Sequence, residues 1–112
     1  MKQDRLKEAG IEAESGIQRF MGNEDLYIKY LYRFLEDENY KNLQKALENG
    51  KIKDAFFAAH TLKGVCGNLS LIRMESILKI MVEELRQENL QRAEDKMPEL
   101  EDAYSQIQKV LK

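Results

Sequence analysis

Apolar side chains recur every three or four residues along most of this chain, which is the spacing of one buried face on an α-helix. No stretch alternates apolar and polar residues with the period of a β-strand. The periodic positions are Tyr27, Leu31, Phe34 and Leu35, continued by Tyr40, Leu43 and Leu47; Ile52, Phe56, Ala59, Leu62, Cys66 and Leu69; Leu71, Met74, Leu78, Met81 and Leu85; and Leu100, Tyr104, Ile107 and Leu111. The pattern predicts an all-α protein.

Helix-starting and helix-stopping residues bound the first of these stretches. Asn23 precedes Glu24, so a capping side chain is followed by a carboxylate where the helix dipole favours one, and a helix is predicted to begin near residue 24. Asn49-Gly50 predicts its end. A break around residues 37–39 would divide this stretch, so one bent helix and two helices both remain open.

The later stretches have boundary residues of their own. A helix predicted from about Ile52 to Leu69 is followed by Ser70, which we expect to cap the next helix, running to about Glu88. Pro98 either occupies the first position of the last helix or kinks a longer helix that begins near Leu90.

Helices of this length with short connections run antiparallel to their neighbours, which predicts an up-down-up-down four-helix bundle. The segment before Asn23 carries Ile11, Ile17, Phe20 and Met21, and we expect it to form a short helix packed on the bundle. The length suits a single domain over residues 1–112, with residues 1–22 as an N-terminal cap segment and residues 23–112 as the bundle.

Composition excludes several function classes. A formal net charge of −2 gives no cationic surplus for nucleic acid or anionic lipid. One Cys excludes an internal disulfide, and one His with it cannot supply a structural zinc site. The longest apolar run, residues 55–59, is far shorter than the roughly 20 residues of a membrane helix, and residues 1–5 do not form a signal peptide. We expect a soluble cytoplasmic monomer without a metal or cofactor of its own.

The single histidine, His60, is predicted to point away from the core. At about 100° per residue, the apolar stripe of its helix centres about 150° or more from His60. Within roughly 60° of His60 the same arithmetic places six other residues. They are Lys53, Phe56, Phe57, Lys63, Gly64 and Gly67. A nucleophile, cations, aromatic rings and two glycines therefore share one outward face.

The two glycines on this face indicate that something approaches His60 closely. Each costs about 1 kcal/mol relative to Ala in an exposed helix interior, so stability alone would not select them. Bare backbone at Gly64 and Gly67 would let a macromolecule reach the imidazole. An imidazole nitrogen is a competent nucleophile near neutral pH, and Lys63 lies one turn away to stabilise an anion on the ring. We infer that this anion is a phosphoryl group.

The run Ala59-His60-Thr61-Leu62-Lys63-Gly64, followed by small residues and Leu69, resembles the motif of the histidine-containing phosphotransfer (HPt) domains. The segment 16–27 resembles the N-terminal part of that family, and the resemblance extends over nearly the whole chain. It implies that His60 is the phosphoacceptor, that Lys63 steadies the phosphoryl group and that Gly64 keeps access open.

Two positions depart from the family pattern. Ser70 stands where the family usually has Gly, at the turn into the next helix. Some members place a Gln on the neighbouring helix beside the histidine, whereas the matching region here reads Met81-Val82-Glu83. The orientation of the His60 ring is therefore left open by the sequence.

The chain has no Gly-rich phosphate loop and no obvious acidic metal cluster, so it is not expected to be a nucleotide-using kinase or an enzyme in its own right. The resemblance implies a phosphorelay intermediate that exchanges phosphate with the aspartate of a receiver domain, the partner that brings magnesium and most catalytic groups. Response-regulator receivers, or a hybrid sensor histidine kinase, are the partners this implies.

Two other functions stay open. One is an HPt-like adaptor that binds receivers or other helices without carrying phosphate, and the other is the first domain of a chemotaxis-type kinase. Lys53, Phe57 and Gly67 are candidate partner-binding residues, although Lys53 also fits a merely solvated charge. Phe56 is expected to pack at the core margin, and Cys66 to be a small buried hydrophobic residue.

Overall fold

Eight α-helices make up the regular structure of residues 3–112, the part of the chain that the computed structural model describes. They are α1 (Gln3–Glu8), α2 (Ala13–Arg19), α3 (Glu24–Phe34), α4 (Asn39–Glu48), α5 (Ile52–Asn68), α6 (Ile72–Arg86), α7 (Leu90–Glu94) and α8 (Met97–Leu111). In this range the one β-type contact is an antiparallel bridge between Ile11 and Leu71. The all-α prediction is confirmed.

Helices α3 and α4 together form one arm of the bundle. The Asn23 side chain caps α3 as predicted, accepting a hydrogen bond from the Leu26 amide at 3.0 Å. The sequence left one bent helix or two open, and the structure has two. Between them the Asp37 carboxylate accepts a hydrogen bond from the Asn39 amide at 2.8 Å, which satisfies a free N–H group at the start of α4.

Helices α5 and α6 are antiparallel. Phe56 near the start of α5 contacts Arg86 at the end of α6, and Gly67 near the end of α5 lies beside Glu75 near the start of α6. These pairs are equidistant from the short connection between the two helices, as an antiparallel hairpin requires.

The other two arms also run antiparallel to their neighbours. The Tyr27 hydroxyl at the start of α3 donates a 2.7 Å hydrogen bond to the Leu69 carbonyl at the end of α5. Arg73 near the start of α6 donates a hydrogen bond to Gln106 in the second half of α8. The arms α3–α4, α5, α6 and α8 therefore form the predicted up-down-up-down bundle.

The predicted apolar stripes form one core. Nearly all periodic positions are buried, and Leu35, Ile52, Phe56 and Tyr104 lie at its margin. The Tyr104 ring stacks on Tyr40 with centroids 3.9 Å apart, and it meets Phe34 edge-on at 5.9 Å. These contacts pack α8 against the junction of α3 and α4. Among residues 3–112 no helix has the length and apolar character needed to cross a membrane.

The N-terminal segment differs from prediction because it contains two short helices rather than one. Gly10, at a φ of +79°, turns the chain between α1 and Ile11. The Glu12 amide then donates a 2.9 Å hydrogen bond to the Ser70 carbonyl, so the segment is tied to the turn between α5 and α6. Met21 is 94% exposed and does not share in packing. The first two residues of the predicted cap segment lie outside the described range.

The expectation that Ser70 caps α6 is wrong. Helix α6 begins at Ile72 and has no side-chain cap, whereas the buried Ser70 hydroxyl hydrogen-bonds with that of Ser15 at 3.1 Å. Ser70 has a φ of +57°, in the left-handed region where glycine carries no steric penalty. This explains why glycine suits the turn, and the contact with Ser15 supports serine in its place.

Pro98 lies in the first turn of α8, which begins at Met97. Residues from Leu90 form the separate short helix α7, so the alternative of one longer kinked helix is wrong. Proline fits the first turn because its missing N–H group would have no partner within the helix there.

The buried Tyr27 predicts a loss of stability at alkaline pH. Burial raises the pKa of Tyr27 from 10.0 to about 12. Below pH 10 the hydroxyl is protonated in both the folded and the unfolded chain, so its contribution is constant. Above that pH the unfolded chain ionises first, and stability falls as pH rises towards 12, by up to about 2 kcal/mol for this group.

Urea unfolding between pH 9 and 12 measures this effect, roughly spanning the two pKa values. Tyr27→Phe should lose about 1 kcal/mol at neutral pH with its hydrogen bond, and should decline less steeply above pH 10. Tyr32→Phe, which changes an exposed ring on the same helix, is the matched control. A Tyr27→Phe protein that declines as steeply as wild type would contradict the assignment.

Candidate functional site

Helix α5 has two unlike faces. Ala55, Ala58, Ala59, Leu62 and Cys66 are buried on one of them. Small alanine side chains at three of these positions let neighbouring helices approach closely, and α5 packs against both α4 and α6. The rotation of α5 is thereby fixed, and its opposite face is left to solvent.

His60 lies on this exposed face, as predicted. Its ring stacks on that of Phe56, one turn earlier, with centroids 5.9 Å apart and planes at 25°. Phe56 is half-buried and packs against the core, as the sequence predicted. Among residues 3–112 no side-chain hydrogen bond to the imidazole occurs, and the stack on Phe56 is its one aromatic contact.

Helix α6 adds Arg86, which sequence analysis missed, and Glu83, which it named only as a departure from the family pattern. The Arg86 guanidinium lies 5.6 Å from the centroid of the Phe56 ring, a cation–π distance, and Arg86 also forms an ion pair with Glu83. The signal available in the sequence was the antiparallel hairpin, which places the end of α6 beside the start of α5.

The same helix leaves no equivalent of the glutamine that some HPt domains place beside the histidine. Met81 and Val82 are buried apolar residues, and Glu83 is exposed and paired with Arg86. The side chains at these three positions therefore form no hydrogen bond with the His60 ring.

Gly64 and Gly67 play different parts. A Cβ atom at Gly64 would have no atom outside its own helix turn within 4 Å, and the backbone there is ordinary helix. A Cβ atom at Gly67 would come within 2.6 Å of a carboxylate oxygen of Glu75. The expectation of open space beside the histidine is met at Gly64, whereas at Gly67 the end of the flexible Glu75 side chain would have to move to make room.

The remaining predicted site residues also lie on or beside the exposed face. Lys63 is half-buried and Lys53 is exposed. Phe57 is 71% exposed and borders a surface depression between α4 and α5, together with Asn39 and Asn42. The partner-binding roles of Lys53, Phe57 and Gly67 stay predictions.

An apolar depression missed by sequence analysis lies between α3 and α5. Its walls include the partly exposed Leu26 and Tyr30 of α3 and Val65 of α5. Each of these apolar positions, taken alone, is unremarkable in the sequence. The packing of α3 beside the motif brings them together.

Cys66 and the acidic residues do not add a second site. Cys66 is buried, and burial raises the pKa of its thiol, with a smaller contribution from the nearby Glu75. The thiol is therefore protonated at neutral pH and behaves as the small hydrophobic residue predicted. Within the described part of the chain no three His, Cys, Asp or Glu side chains converge as a metal site would require.

Comparison with known families identifies an Hpt domain over residues 34–110, which takes in α4 to α7 and nearly all of α8. Comparisons with curated proteins and with solved structures found no match. The matched region covers well over half of the chain and contains the whole of α5, with its single histidine facing solvent. The chain belongs to the Hpt domain family, which implies a phosphotransfer role in a two-component phosphorelay.

Proposed function

We propose that His60 accepts a phosphoryl group from the phospho-aspartate of a receiver domain and passes it on, or back, to a receiver aspartate. The observation that carries this proposal is the pairing of an exposed imidazole with open space at Gly64, one turn further along the same face. Such an opening allows the reacting atoms of two proteins to come within bonding distance.

The transfer step is a substitution at phosphorus. The lone pair of an unprotonated imidazole nitrogen forms the P–N bond while the bond from phosphorus to the aspartate oxygen breaks. The electron pair leaves with the aspartate carboxylate, and the proton on the other ring nitrogen stays in place. Reversal of the same step returns the phosphoryl group to a receiver.

Lys63 and the partner supply the charge stabilisation that phosphoryl transfer requires. The Lys63 ammonium group is one turn from His60 and can reach an anion on the ring. The receiver brings the magnesium ion and the remaining catalytic groups, and this domain acts as a carrier rather than a catalyst. Leu26 and Tyr30 of α3 and Val65 of α5 offer the receiver an apolar surface.

The function itself is tested with His60→Gln. This change should abolish acceptance of label from phosphorylated receivers while unfolding stability falls by no more than about 1 kcal/mol, because the side chain is exposed and loses only its stack on Phe56. The label on wild type should be acid-labile, as a phosphoramidate is. Lys109→Gln, an exposed change on α8, is the control and should accept label normally.

Label that persists on His60→Gln, or that survives acid, would exclude His60 as the acceptor. A wild-type protein that binds receivers without taking up label would favour the adaptor function instead.

Lys63→Ala should slow transfer about fivefold and shorten the lifetime of phosphohistidine, the size expected of a partly exposed cation. Because salt screens such a charge, the difference from wild type should shrink as ionic strength rises. Lys45→Ala, which removes an exposed cation on α4, is the matched control. Equal transfer rates for wild type and Lys63→Ala at low salt would leave Lys63 without this role.

Gly64→Gln should raise the unfolding stability and slow phosphoryl transfer. With no atom within 4 Å of the new Cβ atom, the change should stabilise the helix by up to about 1 kcal/mol. The long side chain should nevertheless slow transfer from a receiver more than about tenfold by obstructing its approach. Gly64→Ala is the matched control, since it gains similar helix propensity and obstructs less.

Thermal unfolding and receiver-to-protein transfer are measured on the same samples of the Gly64 variants. A Gly64→Gln protein that is destabilised yet transfers at the wild-type rate would show that Gly64 serves helix packing rather than access.

A further inference from the structure

We propose that Phe56, braced by Arg86, is a positioning residue that holds the His60 ring in one orientation for phosphoryl transfer. This inference rests on the proposed function and adds residues to it. The carrying observation is a row of side chains that joins the imidazole to both α5 and α6: His60 stacks on Phe56, Arg86 lies over Phe56, and Glu83 pairs with Arg86.

The helix itself brings the two rings together. Residues four apart lie one above the other on a helix face, and each side chain leans towards the N-terminus. His60 therefore leans over Phe56, and the observed centroid distance of 5.9 Å with planes at 25° is an offset stack. A ring in this position has one face partly covered by its neighbour, which favours the side-chain rotamers that keep the stack.

Phe56 is anchored well enough to act as a support. It is half-buried and packs against the core, whereas its neighbour Phe57 is 71% exposed. The Arg86 guanidinium, 5.6 Å from the Phe56 centroid, limits the ring from the side of α6. Arg86 also forms an ion pair with Glu83, and because both side chains are exposed this pair adds only weakly to the placement of Arg86.

Within residues 3–112, Phe56 is the one aromatic ring that stacks on His60. The α6 positions nearest the histidine in the hairpin, Met81 and Val82, are buried and apolar, and no side-chain hydrogen bond to His60 occurs within residues 3–112. The orientation of the reactive nitrogen therefore depends on the stack. A contact of ordinary aromatic strength supports a change of about fivefold in the population of the competent orientation.

Nuclear magnetic resonance reads this orientation directly, because His60 is the single histidine of the chain and its ring protons are assigned without ambiguity. Stacking on Phe56 shifts these protons from their positions in a free histidine. Phe56→Leu should remove most of that shift and slow receiver-to-protein transfer about fivefold. Phe56→Tyr, which retains the ring, should retain both the shift and the rate.

Two further variants complete the design. Tyr32→Leu removes an exposed ring on α3 and should leave the His60 signals and the transfer rate unchanged. Arg86→Gln should move the signals and the rate in the same direction as Phe56→Leu, by a smaller amount. If Arg86→Gln slows transfer while the His60 signals stay in place, Arg86 acts on the phosphoryl group or partner directly, and its bracing role is overturned.

The possible results also distinguish failure of this inference from failure of the proposed function on which it rests. Unchanged His60 signals in Phe56→Leu would overturn the stack, and shifted signals with an unchanged transfer rate would overturn its role in positioning. Circular dichroism of each variant shows whether the fold is intact. If Phe56→Leu is destabilised, Arg86→Gln, a change at an exposed residue, decides whether the His60 signals and the transfer rate move together. A wild-type protein that accepts no phosphate would instead overturn the proposed function, whatever the ring signals show.

Discussion

Burial of one face of α5 is the constraint on which the rest of the molecule depends. Ala55, Ala58 and Ala59 let α4 and α6 close on this helix, and Leu62 and Cys66 continue the same face. A helix packed on both sides cannot rotate, so the residues opposite the core have a fixed direction. His60 needs no loop or induced change to reach the surface, because the packing of its own helix places it there.

Under the proposed function, helix stability favours a side chain at position 64, whereas access of a partner to His60 favours its absence. Glycine is a poor helix former, and the structure gives Gly64 no packing role that would offset this cost. Gly67 is different, because Glu75 of α6 occupies the space that a side chain would need. The two glycines of one motif therefore differ in their surroundings: Gly64 faces open space, and Gly67 lies against the end of the Glu75 side chain.

The sequence predicted what periodicity controls and missed what the tertiary structure controls. The helices, the buried stripes and the outward direction of His60 follow from residue spacing within single elements. The left-handed backbone of Ser70 and its contact with Ser15 depend on how the N-terminal segment docks, which no local pattern encodes. The position of Arg86 over Phe56 likewise requires the register between two helices, and a register is known only once both helices are packed.

The exposure of His60 also determines how a partner would distinguish the phosphorylated domain from the unphosphorylated one. Under the proposed function, the phosphoryl group adds about two negative charges to a side chain that lies outside the core. No buried contact has to break or form when the group arrives, so the fold would be the same in both states. A partner would then recognise the chemical group rather than a change of shape, and the information that the domain passes on would be chemical rather than conformational.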